Sequence, residues 1–238
     1  MFLKGSLEFF EKLLLDLDRL ILPALKETLI MVFISSFIAI VIGTTLGVAL
    51  YITKDKGLSP NRISSMIIGT IVNIGRSIPF VILIIALFPV TRFFMRTGIG
   101  LRAATFCLTV AAIPFVARIM EAAFNEIDIG VIEAAKSMGA TNAQIVLKVL
   151  IPESLQSIVA NITITIINIV GYSPMASVLG AGGVGSVAIN YGFVRRRNDI
   201  LFVCIIILLI LVQIVQSIGN YTARNIVVLL HRFNSKYK

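Results

Sequence analysis

The sequence predicts an all-α integral membrane protein with five transmembrane helices per subunit, preceded by an amphipathic helix and interrupted by one long helical loop. Three observations carry this. Charged residues make up only 14% of the 238, against about 25% in a soluble domain. Hydrophobic residues make up 58%, and mean hydropathy is +0.98, more apolar surface than a water-soluble core can hide. Finally, the apolar residues fall into five runs, roughly 23–51, 63–90, 103–122, 158–180 and 200–222, each long enough to cross a bilayer. Hydrocarbon offers the backbone no hydrogen-bond partners, so such runs must be helices, and none alternates as a barrel strand does. A soluble enzyme, a disordered chain and a disulfide scaffold are excluded. The net charge of +9 lies between apolar runs, which points to anionic lipid headgroups and not to nucleic acid. Cys107 and Cys204 sit inside apolar runs and read as small buried hydrophobes.

Residues 1–22 open the chain differently. Leu3, Leu7, Phe10, Leu14 and Leu17 recur at helical spacing with acids and lysine between them, the pattern of a helix lying on the membrane surface. The acids interrupt any signal-peptide core. Residues 23–222 form the transmembrane domain, and 223–238 a basic tail. In the first span Gly43 and Gly47 form a GxxxG, which permits close helix approach within one subunit or between two. In the second, Arg76 lies 14 residues past Arg62, roughly 21 Å along a helix. A charge that deep is functional by default; it either braces the kink expected at Pro79 or faces a polar pathway.

The longest polar interval, 124–153, reads as two short helices. The first covers about 130–138, with Val131, Ala134, Ala135 and Met138 on one face and Gly139 ending it. Thr141 and Gln144 form a capping box that starts the second, and Pro152 marks its end. Physics alone leaves this element either as a helix resting on headgroups or as a dock for a soluble partner. In the fourth span Asn161, Thr165, Asn168, Tyr172 and Met175 follow at steps of 4, 3, 4 and 3 residues, within an arc of about 80° at 3.6 residues per turn. Ile164, Ile166, Ile169 and Val170 lie opposite. This polar stripe either bonds to neighbouring helices or lines a path. Basic residues divide ten against nine between the two sides, so the positive-inside rule assigns no orientation.

Glu133-Ala134-Ala135, Gly139 and Val149-Leu150-Ile151-Pro152 resemble the EAA motif of ABC importer permeases, EAA-x3-G-x9-I-x-L-P, with Val149 and Ile151 as mild apolar replacements. The stretches 73–80, 112–118, 137–141 and 180–185 resemble the methionine-uptake permeases of that family. Pro174 and Ser186 depart from their pattern. The resemblance implies a cytoplasmic coupling helix in the 124–153 loop, with Glu133, Ala134, Ala135, Gly139 and Pro152 serving ATPase coupling. It places the amino terminus outside and the carboxyl terminus inside a bacterial cell membrane. It also implies a homodimer working with cytoplasmic ATPase subunits and an external substrate-binding protein.

The rest of the sequence agrees with a subunit that is not itself an enzyme. Gly180 to Ser186 lacks the lysine of a phosphate loop, no nucleophile is paired with a base, lone His231 reads as solvated, and no cofactor is expected. An ion-coupled transporter would carry acids inside its spans; the last four have none before Glu121. A scaffold would not need the fourth span's stripe. Because five helices are few to enclose a path, a twofold pair with the path on its axis is expected. The reading is therefore an ATP-driven importer permease for methionine or a closely related amino acid, with another small solute as the alternative.

Overall fold

The computed structural model describes residues 15–235, with side chains through 226. The described residues contain helices and no strand. They comprise α1 (Leu17–Thr53), α2 (Arg62–Ser77), α3 (Phe80–Met95), α4 (Leu101–Asn125), α5 (Ile129–Ser137), α6 (Asn142–Ile145), α7 (Leu155–Tyr172), α8 (Gly183–Val194) and α9 (Asn198–Ser235). Of these, α1, α4, α7 with its extension to Leu179, and α9 are each long and apolar enough to cross a membrane.

The sequence expectations are corrected in four places. The run 63–90 is not one helix: α2 stops at Ser77, Ile78 is extended (φ −85°, ψ 123°), and α3 starts after Pro79. Pro79 forces this break, because a residue before proline is pushed out of the helical region. The amphipathic opening lies mostly outside the described residues, and its end, Leu17–Ile21, is a π-helical turn continuous with the first span. The last span does not stop at 222 but runs on through Ser235. The interval between the runs 158–180 and 200–222, to which the sequence assigns no helix, contains the apolar helix α8.

The chain divides into two compact units. One comprises Met1–Ser36, Pro79–Thr109 and Ile166–Ile214. Its core gathers Ile21, Ala24, Val184, Val187, Ile200 and Cys204, and both cysteines are buried and free. The first amides of α8 would be orphaned donors. Glu27 Oε2 accepts from Gly183 N at 2.8 Å and Thr28 Oγ1 accepts from Val184 N at 2.9 Å, so side chains of α1 cap α8. Arg197 ties the start of α9 down through Asp199 at 2.5 Å and Asp16 at 2.7 Å.

The second unit comprises Phe37–Ile78, Val110–Thr165 and Val215–Lys238. Here the GxxxG of α1 packs on α4 of the same subunit. A Cβ added to Gly43 would lie 2.5 Å from Val116 Cβ, and one added to Gly47 2.9 Å from Ala117 O and Met120 Cβ. Lipid gives no hydrophobic drive for helix association, so such close backbone approach is what holds the pair. Leu50, Val72 and Ala117 continue the seam.

Gly43→Leu should therefore lower the melting temperature of the detergent-purified protein by an amount matching about 1–3 kcal/mol of overpacking. Gly69→Ala, whose new Cβ would meet nothing nearer than 3.9 Å, should leave it unchanged or raise it. A differential scanning fluorimetry series in one detergent checks both.

Candidate functional site

The 124–153 loop is built from local signals. Asp128 caps α5 by accepting from Gly130 N at 2.8 Å. At the other end Met138 and Gly139 donate back to Ala134 and Lys136, and Gly139 takes φ +80°, a backbone state that glycine enters without penalty. The capping box forms: Gln144 N donates to Thr141 Oγ1 at 3.3 Å and Thr141 N to Gln144 Oε1 at 2.9 Å. Each turn of this element is thus fixed by its own residues.

Its faces differ from the sequence expectation. Ile132 and Ala135 are the buried residues of α5, while Met138 is 82% exposed and Val131 40%. Within the EAA triplet Ala135 faces the protein; Glu133 and Ala134 face outward. A Cβ on Gly139 would meet nothing within 4 Å, so its positive φ, and no steric limit within this chain, demands glycine. Pro152 lies in the last turn of the loop's second helix, Ile151–Glu153, which ends at Ser154 (φ −89°, ψ 6°). A π-helical turn, Val146–Leu150, precedes it, and α7 starts after Ser154 at Leu155. Ser154 Oγ then donates to Leu150 O at 2.6 Å.

Two concavities flank α5. One, of about 340 Å³, is lined by Tyr51, Lys56, Leu58, Ile129, Ile132, Glu133 and Lys136, among others. The other, of about 290 Å³, lies between Glu126, Asp128, Val131, Glu153 and Ser157, where Ser157 Oγ donates to Glu126 Oε2 at 3.1 Å. The wall of the first from Tyr51 to Leu58 was missed in the sequence, where Lys54-Asp55-Lys56-Gly57 reads only as punctuation. Lys54 lies 4.1 Å above the Tyr51 ring and donates to Asn125 Oδ1. Burial pulls its pKa below the ordinary lysine value and the Glu121 charge pushes back. A lysine three residues past an aromatic at the end of a span is the signal that could have pointed here.

The five residues of the α7 stripe do not share one environment. Asn161 Nδ2 donates to Ile119 O at 2.8 Å, and Thr165, fully buried, donates to Asn161 O. Tyr172 stacks on Phe80 with ring centroids 5.0 Å apart. Asn168 is half-buried without a hydrogen bond among the described residues, and Met175 is 40% exposed. Met175 lies on a 3₁₀ segment, Ser173–Leu179, so the 3.6-residue spacing used to align it ends at Tyr172. Opposite the stripe Ile164 is exposed but Ile169 and Val170 are buried, so that side is not one lipid-facing strip. Arg76 is exposed near the end of α2, and its guanidinium bonds to no carbonyl among the described residues. Pro174 packs on Gly185, the residue before Ser186, so that a Cβ there would fall 2.4 Å from Pro174 Cα, and Ser186 Oγ accepts from Asn190 Nδ2.

Comparison with known proteins places this geometry. Residues 45–228 match the family model described as binding-protein-dependent transport system inner membrane component. The probable D-methionine transport system permease protein MetI of Vibrio cholerae serotype O1 is 47% identical over 207 residues, covering 87% of this chain and 92% of the relative. The methionine import system permease protein MetP of Bacillus subtilis is 43% identical over 171 residues, covering 72% and 77%. Among solved structures, the MetNI methionine ABC transporter in an inward-facing conformation superposes with TM-score 0.85 at 43% identity, covering 87% of this chain and 96% of that one. An amino acid ABC transporter matches at TM-score 0.73 and 18% identity, a likeness of fold alone. The chain belongs to the family of binding-protein-dependent transport system inner membrane components, the membrane-spanning permeases of ABC importers.

Proposed function

We propose that this chain is the permease subunit of an ATP-driven importer for methionine or a closely related amino acid. The observation that carries this is the 47% identity to a D-methionine permease over 92% of that protein's length. The EAA residues, lying on a capped helix outside the spans, support it. In this reading two copies form the path, a pair of cytoplasmic ATPase subunits supplies the energy, and an external binding protein delivers the solute. The amino terminus lies outside and the carboxyl terminus in the cytoplasm.

The loop carries out coupling. Glu133 and Ala134, outward on α5, meet the ATPase; Ala135 seats the helix on its own subunit; Gly139 fixes the turn; and Pro152 with the π turn joins the loop to α7. On α7, Asn168 and Met175 offer surface to the path and Tyr172 borders it, while Asn161 and Thr165 hold the helix in place.

The decisive experiment is ATP hydrolysis by the purified complex with its binding protein, across a panel of amino acids. Methionine should stimulate the rate; stimulation by a different solute alone would transfer the cargo to that solute, and no response to any amino acid would overturn the reading. Gly139→Val forces a β-branched residue into a left-handed backbone, at a cost of about 1–2 kcal/mol. It should cut uptake per ATP severalfold while the dimer still assembles. Gly139→Asn, tolerant of that backbone, should retain most uptake. Parallel uptake and hydrolysis measurements in proteoliposomes check the pair, and wild-type uptake by the valine variant would remove Gly139 from coupling.

A further inference from the structure

Two sequence stretches, 73–80 and 112–118, find no use in the coupling loop, yet the structure brings them together. On α2 a Cβ added to Gly75 would fall 2.6 Å from Pro114 Cγ of α4. One turn away Arg118 Nη2 donates to Asn73 Oδ1 at 3.0 Å, and Arg118 Nη1 pairs with Glu121 Oε2 at 2.5 Å. The Glu121 side chain is 12% exposed and that of Arg118 37%. The guanidinium is therefore held through both terminal nitrogens by its own subunit, while its other donors find no partner among the described residues. Arginine has five N–H donors in a rigid fork, and among the described residues only these two partners engage it.

The face of α2 around this point has two characters. Ile63, Ile67, Ile71 and Ile74 are all more than half exposed and form one apolar strip. Met66, Thr70, Asn73 and Ser77, also exposed, follow at steps of 4, 3 and 4 residues, within an arc of about 60° at 3.6 residues per turn. Arg76 borders that second strip. Isoleucines suit hydrocarbon. Ser77 Oγ donates to the Asn73 carbonyl at 2.8 Å and Asn73 Oδ1 accepts from Arg118, but the Thr70 hydroxyl, the Asn73 amide NH2 and the open guanidinium donors have no partner among the described residues, and each such group in hydrocarbon costs several kcal/mol. Arg118 lies 7 residues before the end of α4 at Asn125, about 10 Å along the helix axis, with Glu121 between it and that end.

We infer that the Thr70–Asn73–Ser77 strip with Arg118 lines a water-filled stretch of the translocation path, and that Arg118, positioned by Glu121 and Asn73, receives the carboxylate of the passing amino acid. This rests on the importer reading above and assigns its path a side-chain partner. Each terminal nitrogen of Arg118 donates once within the subunit, and the remaining N–H donors of the guanidinium suit a carboxylate.

The test uses the complete transporter, permease with ATPase and binding protein, in a Cys107→Ala/Cys204→Ala background. Thr70→Cys and Ser77→Cys should react with small charged thiol reagents about tenfold or more faster than Ile67→Cys and Ile71→Cys, since only thiols in water ionise readily. Their reaction should slow when ATP is trapped on the partner. Equal rates at all four positions, or rates indifferent to trapped ATP, would make the strip an interfacial or packed face and overturn the inference. In the second arm, uptake of methionine per ATP should fall about tenfold or more in Arg118→Gln, the size of losing a hydrogen bond to a charged group, with partial recovery in Arg118→Lys. Should Arg118→Gln melt early, Asn73→Asp keeps an acceptor for Arg118 but sets a second carboxylate against the solute, and it should lower uptake without lowering the melting temperature. Wild-type uptake in Arg118→Gln or Asn73→Asp would remove the carboxylate role. Absence of any amino-acid response in the wild-type ATPase would instead defeat the importer reading, and the labelling arm does not depend on it.

Discussion

The constraint on which the rest of this structure depends is that a polar group inside a bilayer must find its partner in protein or in water. It makes every span a helix, since only a helix satisfies its own backbone. It draws Asn161 to the Ile119 carbonyl and Thr165 to the Asn161 carbonyl. It also gives Ser35 the Thr105 carbonyl at 3.1 Å. Where the chain leaves polar side chains exposed in an otherwise apolar helix, as on α2, the same rule converts exposure into a statement about water.

The helices are held by geometry and not by hydrophobic collapse. Lipid tails are as apolar as leucine, so association rests on packing and on interhelical hydrogen bonds. Gly43 and Gly47 bring α1 onto α4, and Gly219 likewise meets Thr163 of α7 so closely that an added Cβ would lie within 2.8 Å of three of its side-chain atoms. Small residues at these seams leave the large apolar side chains, such as Phe33 and Phe37 on α1 and Phe202 on α9, outside, where lipid or a second subunit can meet them.

Much of this was legible in the sequence because the relevant signals are local. Span lengths follow from bilayer thickness, the loop helices from Gly139 and the Thr141/Gln144 box, and the buried cysteines from their apolar neighbours; the Asp128 cap was not read there. What stayed hidden depends on which face turns inward. Ala134 and Ala135 are chemically identical, and only the packing of Ile132 decides that one is buried. Pro152 reads as a stop, and the helix ends one residue later at Glu153, but the π turn before it had no local signal. The α7 stripe was visible as periodicity, but periodicity does not distinguish an amide bonded to a neighbouring carbonyl from one facing water. Asn73 and Arg118 are 45 residues apart, and no local pattern announces that they touch.

The coupling loop has a consequence for how the transporter would assemble. Its caps, its turn and its seat on Ala135 are all supplied by this one chain, so the surface it offers exists before any partner arrives. An element that must fold upon contact surrenders conformational entropy at that moment and binds more weakly for its area. A preorganised one does not. Its interface can remain small and still engage firmly, and the contact can be made and released without the helix itself melting and re-forming each time.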